Sequence, residues 1–163
     1  AKPYQKFNGT NLATVYSAKT VTRVPDCSIN QNNKNFVWND LTVAQWEAID
    51  NGFDTAVVFG TTGLLTEGPG FNVAIVKDGT VFAPRTNRLP GISMRLIEKL
   101  CTQLSIPFKW SDITAQQVDD CDDMFLTTTI GNLVTVTKYN SRHIHMSSVQ
   151  QQLIEQLEKV NGS

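Results

Sequence analysis

Residues 71–82 carry the feature that most restricts how this chain can fold. Phe71, Val73 and Ile75 alternate with Asn72, Ala74 and Val76, and Val81 and Phe82 resume the apolar run. Between them lies Lys77-Asp78-Gly79-Thr80. An Asp-Gly pair supplies the two positive φ angles of a type I′ turn, so the segment predicts a tight hairpin. Just ahead of it stands Thr66-Glu67-Gly68-Pro69-Gly70, a single carboxylate held by two glycines and a proline at a stiff strand entry. Just behind it stands Leu89-Pro90-Gly91-Ile92-Ser93, a glycine turn that opens a helix. The opening turn of a helix offers free N–H groups and the positive end of a dipole, which suits an anion such as phosphate. An acid and an anion cradle thus flank one hairpin.

The rest of the chain predicts strands and helices interleaved. A β-branched alternation over 14–24 predicts a strand, and 25–35 (PDCSINQNNKN) a polar loop of the kind that often carries function. Residues 36–52 predict a helix capped at Asp40 or Thr42, with Gln45 completing a capping box and Leu41, Ala44, Trp46, Ala48 and Ile49 on its apolar side. Thr55–Phe59 predicts a buried strand. Ser93 is the expected cap of the helix after the hairpin, with Ile97, Leu100, Cys101 and Leu104 at core spacing. Phe108 and Trp110 fall on a short strand, and Thr114 with Gln117 forms a capping box for a short helix. Residues 122–129 and 133–139 predict paired strands joined through Gly131-Asn132. Ser148 and Gln151 open a last helix, with Val149, Leu153, Leu157 and Val160 facing inward. The expected class is mixed α/β (α+β): a mixed sheet with helices outside.

At 163 residues the prior is one domain, and a formal net charge of −1 gives no basic footprint for nucleic acid and no polybasic membrane patch. The apolar runs are too short to span a bilayer. Residues 1–16 show no apolar leader, and Cys27, Cys101 and Cys121 are odd in number and widely spaced, which favours reduced thiols in a cytoplasmic protein.

Each candidate residue has an ordinary reading and a chemical one. Lys34 is a solvated loop lysine or a Schiff-base lysine, which needs a shielded site. Glu67 is an exposed carboxylate or a buried acid paired with a ligand cation. Gly91, Ile92 and Ser93 cap a helix, cradle an anion, or both. Thr127, Thr128 and Thr129 are plain β-branched residues or three hydroxyls for phosphate. His143 and His145 share one face of a strand but have no obvious third partner, so no metal is expected. The acidic run Asp119 to Asp123 lacks the spacing and glycine of a calcium loop.

In the order Lys34-Asn35-Phe36…Trp38-Asn39-Asp40-Leu41, then Thr66 to Val73, then Val76-Lys77-Asp78-Gly79, then Leu89 to Ser93, then Asp122 to Thr129, the chain resembles the C-terminal half of class IV aminotransferases. These are fold-type IV pyridoxal-phosphate enzymes: branched-chain and D-amino-acid aminotransferases, (R)-selective amine transaminases and aminodeoxychorismate lyase. The likeness runs from about Val15 to Val136, and the Lys-Asn-x-x-Trp run is most similar to the amine-transaminase branch. Ser93 replaces the usual threonine, and Asp123 stands where glutamate is usual.

The resemblance implies mixed sheets forming a pseudo-barrel with helices outside, and pyridoxal 5′-phosphate as cofactor. It implies Lys34 as the catalytic lysine and proton shuttle, and Glu67 on the pyridine nitrogen. Gly91, Ile92, Ser93, Thr128 and Thr129 would lie around the phosphate. The implied activity is amino transfer between an amino acid or amine and a 2-oxo acid. The alternatives are a lyase with the same cofactor and a non-catalytic domain that serves as an interaction module. Residues 1–12 would be an arriving linker and 13–163 the cofactor-binding domain, with no residues here for the family's N-terminal domain. The full-length family implies a homodimer.

Overall fold

The computed structural model describes residues 10–128 and 133–161. Among them the chain runs β1 (Leu12–Ser17), α1 (Asn39–Asp50), β2 (Thr55–Phe59), β3 (Leu65–Glu67), β4 (Phe71–Lys77), β5 (Thr80–Pro84), α2 (Ile92–Gln103), β6 (Phe108–Ser111), α3 (Ala115–Asp119), β7 (Asp123–Thr128), β8 (Leu133–Tyr139), β9 (Arg142–His143) and α4 (Ser148–Asn161). The strands make one mixed sheet in the order β3-β2-β1-β8-β7-β4-β5-β6, with β9 on β8. The first edge curls round to meet the chain beyond the last: Leu65 N–H donates to the Ile113 carbonyl at 2.8 Å, and a bridge joins Leu64 to Thr114. That closure gives the barrel-like form that the resemblance implies.

The alternation in β4 explains the layers. Val73 and Ile75 point into the barrel with Val15, Val57, Met124, Leu126 and Val136, while Ala74 and Val76 point outward beneath α2 and α4. α1 covers the opposite end, with Leu41, Ala44 and Ala48 packed on Ala56 and Val58. The hairpin forms as expected: Lys77 pairs with Thr80, and Asp78 and Gly79 hold φ of 48° and 72°. The Thr114–Gln117 capping box is also present.

Several local expectations fail for a common reason, the capture of side chains by distant partners. The first strand stops at Ser17 rather than 24, because the Glu47 carboxylate accepts from the Lys19 and Thr20 N–H groups (2.8 and 3.1 Å) and turns the chain. No side chain caps α1. Gln45 instead bonds the Asp54 carbonyl and the Thr55 hydroxyl, and Asp40 faces inward. Trp46 and Ile49, expected in the core, are exposed, as is Val160 on α4. α4 is opened by Ser147, one residue earlier than expected: its hydroxyl accepts from Gln150 N–H at 3.2 Å and donates to the buried Asp123 at 2.7 Å. His143 and His145 are both exposed, and β9 ends between them.

Candidate functional site

β3 delivers Glu67 to a buried position at 5% exposure. Its two oxygens have separate partners. Oε1 accepts from Arg23 Nε at 3.1 Å and lies 3.0 Å from Nη2, while Oε2 accepts from Leu89 N–H at 3.0 Å. Arg23 itself is buried and divided between two acids, for its Nη1 also meets Asp40 Oδ2 at 2.6 Å. Gln31 steadies the guanidinium by accepting from Nη2 and donating to the Val24 carbonyl. One guanidinium thus serves two buried carboxylates, and the charge of Arg88 is also felt at Glu67. Burial pushes the Glu67 carboxyl up from its ordinary value, and the Leu89 N–H and Arg23 only partly offset this.

α2 begins at Ile92 after Gly91, and no side chain caps it. Ser93, expected to be the cap, lies inside the first turn. Its hydroxyl donates to the Thr128 carbonyl at 2.6 Å, which ties the helix start to the end of β7. The backbone N–H groups of that turn are therefore the free donors. Glycine is required at 91 by a close approach: a Cβ there would collide with the Asn72 amide oxygen, whose nitrogen donates to the Leu89 carbonyl at 2.8 Å.

One cavity of about 380 Å³ joins these parts. Lys34, Glu67, Gly91, Ile92, Ser93 and Thr128 all line it. Thr129 lies outside the described residues. Lys34 is exposed, carried on the loop between β1 and α1. That loop is fixed through Asp26, whose two oxygens accept from Gln31 N–H at 3.1 Å and Asn87 N–H at 3.0 Å. Trp38 borders the same cavity and donates its indole N–H to the Asn35 carbonyl at 3.0 Å. The hydroxyls of Thr127 and Thr128 are buried without a hydrogen-bond partner, and both residues border the cavity. Such orphaned hydroxyls are expensive unless a ligand satisfies them. The residues present fit a phosphorylated ring with a cationic nitrogen: uncapped N–H groups and two unpartnered hydroxyls at one end, the buried Glu67 carboxyl at the other.

Sequence reasoning missed Arg23 and Gln31. The available signal was a lone cation in the uncharged run Thr20 to Pro25, ahead of two acids that would need a partner if buried.

The pH response follows from Glu67. Its folded carboxyl holds a proton more tightly than in the unfolded chain, so its contribution to stability falls as pH rises from just above the ordinary carboxylate range through the raised value. Glu67→Gln is expected to flatten the decline in melting temperature as pH rises above the ordinary carboxylate range, as read by circular dichroism. An unchanged slope would place the proton elsewhere; Asp123, also raised chiefly by burial, is the next group to substitute.

Residues 3–139 match the family "Amino-transferase class IV". The chain belongs to that family. It is 31% identical over 141 residues to a probable branched-chain-amino-acid aminotransferase of Thermotoga maritima, covering 84% of this chain and 51% of that protein. The branched-chain aminotransferase of the archaeon Thermoproteus uzoniensis, solved with norvaline, superposes with a TM-score of 0.90 over 97% of this chain and 54% of its own, at 21% identity. An aminotransferase of Brucella abortus, solved bound to the cofactor PLP, gives 0.82 over 91% of this chain and 53% of its own, at 20% identity. At those identities the likeness shows the fold. The chain spans about half the length of the relatives it matches. No helix among the described residues is long and apolar enough to cross a membrane.

Proposed function

We propose that this chain is the pyridoxal 5′-phosphate-binding part of an aminotransferase that moves an amino group between an amino acid or amine and a 2-oxo acid. The observation that carries the reading is the single cavity that brings Lys34, Glu67, the uncapped start of α2 and the orphaned threonine hydroxyls together. When bound, pyridoxal 5′-phosphate supplies an electron sink that acidifies the α-carbon of an attached amine. Lys34 Nζ holds the cofactor and moves the proton at the substrate α-carbon. Glu67 would accept from the ring nitrogen, and its ionised carboxylate would favour the protonated form of that nitrogen. Ile92 and Ser93 give backbone N–H groups to the phosphate, and Thr127, Thr128 and Thr129 give hydroxyls. Since Lys34 is exposed, a bound ligand and further chain would complete its shielding.

The branched-chain names of the relatives support a branched-chain substrate. The reading takes residues 13–163 as the cofactor domain and 1–12 as an arriving linker, and the protein at family length as a cytoplasmic homodimer. A lyase would use the same cofactor contacts, and its products would separate the two.

The test is chemical trapping. The chain is incubated with pyridoxal 5′-phosphate, reduced with borohydride, digested and read by mass spectrometry. The phosphopyridoxyl mass is expected on the Lys34 peptide and is expected to be lost in Lys34→Ala. A label spread over surface lysines, or unchanged in the variant, refutes the assignment.

A further inference from the structure

A second pocket, of about 400 Å³, lies beside α2 and away from the cavity described above. Arg85, Arg88, Arg95 and Lys99 line it with Glu98 and Trp110. Four of the chain's fourteen lysines and arginines therefore meet in one place, in a protein whose formal net charge is −1. Arg85 is already neutralised by Asp112, at 3.0 and 2.6 Å. Glu98 is occupied by the Trp110 indole N–H at 2.8 Å. Among the described residues, no ion pair reaches Arg88, Arg95 or Lys99. Arg88 is fixed rather than mobile: its Nε donates to the Pro84 carbonyl at 2.7 Å and its guanidinium lies 4.4 Å from the Trp110 ring centroid. Arg95 and Lys99 sit one turn apart on α2 and so face the same way. The pocket thus holds a preset guanidinium opposite two further cations, with a surplus of two positive charges after Glu98 and Asp112 are counted.

We propose that this pocket is an anion-binding site for a compact polyphosphate chain, separate from the cavity that holds Glu67. Three unpaired cations at distinct positions suit a ligand with several charged groups better than a single phosphate. Arg88 covers one side of Trp110 and Phe108 packs on it edge-on at 5.1 Å, so the indole is already engaged and a nucleobase gains nothing by stacking there. The recognised group is the di- or triphosphate itself, whether inorganic or part of a nucleotide.

The test is calorimetric titration of this chain with inorganic tripolyphosphate and, in a second arm, ATP, at fixed ionic strength. Both are expected to bind with similar affinity. Arg95→Ala/Lys99→Ala, two exposed positions, is expected to weaken binding about tenfold or more while the melting curve stays in place. Lys19→Ala/Lys138→Ala removes the same charge at positions that do not line this pocket and is expected to leave binding within about twofold, on the screening of distant surface charges. Four outcomes overturn the proposal: no binding, binding of ATP alone, equal loss in both double variants, or no loss in Arg95→Ala/Lys99→Ala.

Discussion

Replacing Arg23 with methionine is expected to destabilise the fold by about 3–5 kcal/mol, because it leaves two buried carboxylates without their cation. Asp40 and Glu67 are both buried, and the Arg23 guanidinium is the cation that meets each of them. Methionine fills much of the same space, so the loss reports charge rather than volume. The measurement is the urea midpoint at constant slope. Adding Asp40→Asn and Glu67→Gln to Arg23→Met should recover a large part of the loss, since neutral amides carry no uncompensated charge. A loss below about 1 kcal/mol, the range of exposed pairs, would mean that this cluster is solvated.

The second large effect belongs to Gly91. Gly91→Ala is expected to weaken pyridoxal 5′-phosphate binding by about 10–100-fold, through an overpacking strain of about 1–3 kcal/mol at the helix start. Its φ of −63° is open to any residue, so the effect comes from the collision with the Asn72 amide and not from the backbone conformation. Asn72 can yield only by releasing the Leu89 carbonyl, and Leu89 is the residue whose N–H holds Glu67. The two ends of the cavity are thus coupled through one loop. A double-mutant cycle decides the point: in the Asn72→Ala background the effect of Gly91→Ala should shrink to within about twofold. Additive losses would show that the collision is not the cause.

The hairpin and the α3 capping box are legible in the sequence because they are self-contained. Asp78-Gly79 sets its own φ angles, and Thr114 with Gln117 exchanges bonds within a single turn. Glu67, Gly91, Ile92 and Ser93 stand out as chemistry because glycines and a helix start surround them. The failures arise where a side chain has a choice. Spacing assigns Gln45 to a cap of α1, yet its hydrogen bonds go to Asp54 and Thr55, and Glu47 on the same helix reaches Lys19 and Thr20. Ser93 fits a cap by position and bonds β7 instead. Arg23 looks like one position in a strand, and only the tertiary fold shows two acids converging on it. Local pattern cannot rank a partner nearby in the chain against one tens of residues away.

The anchoring of Leu65 by Ile113 has a consequence for synthesis. A nascent polypeptide reaching only as far as Ser93 would already contain the lysine, the acid and the glycine turn. It would have β3 paired on β2 but would lack the Ile113 carbonyl that ties down the outer edge of β3, and the Thr128 carbonyl that Ser93 grips. The bonds that close both ends of the cavity are therefore complete only once synthesis has passed Thr128.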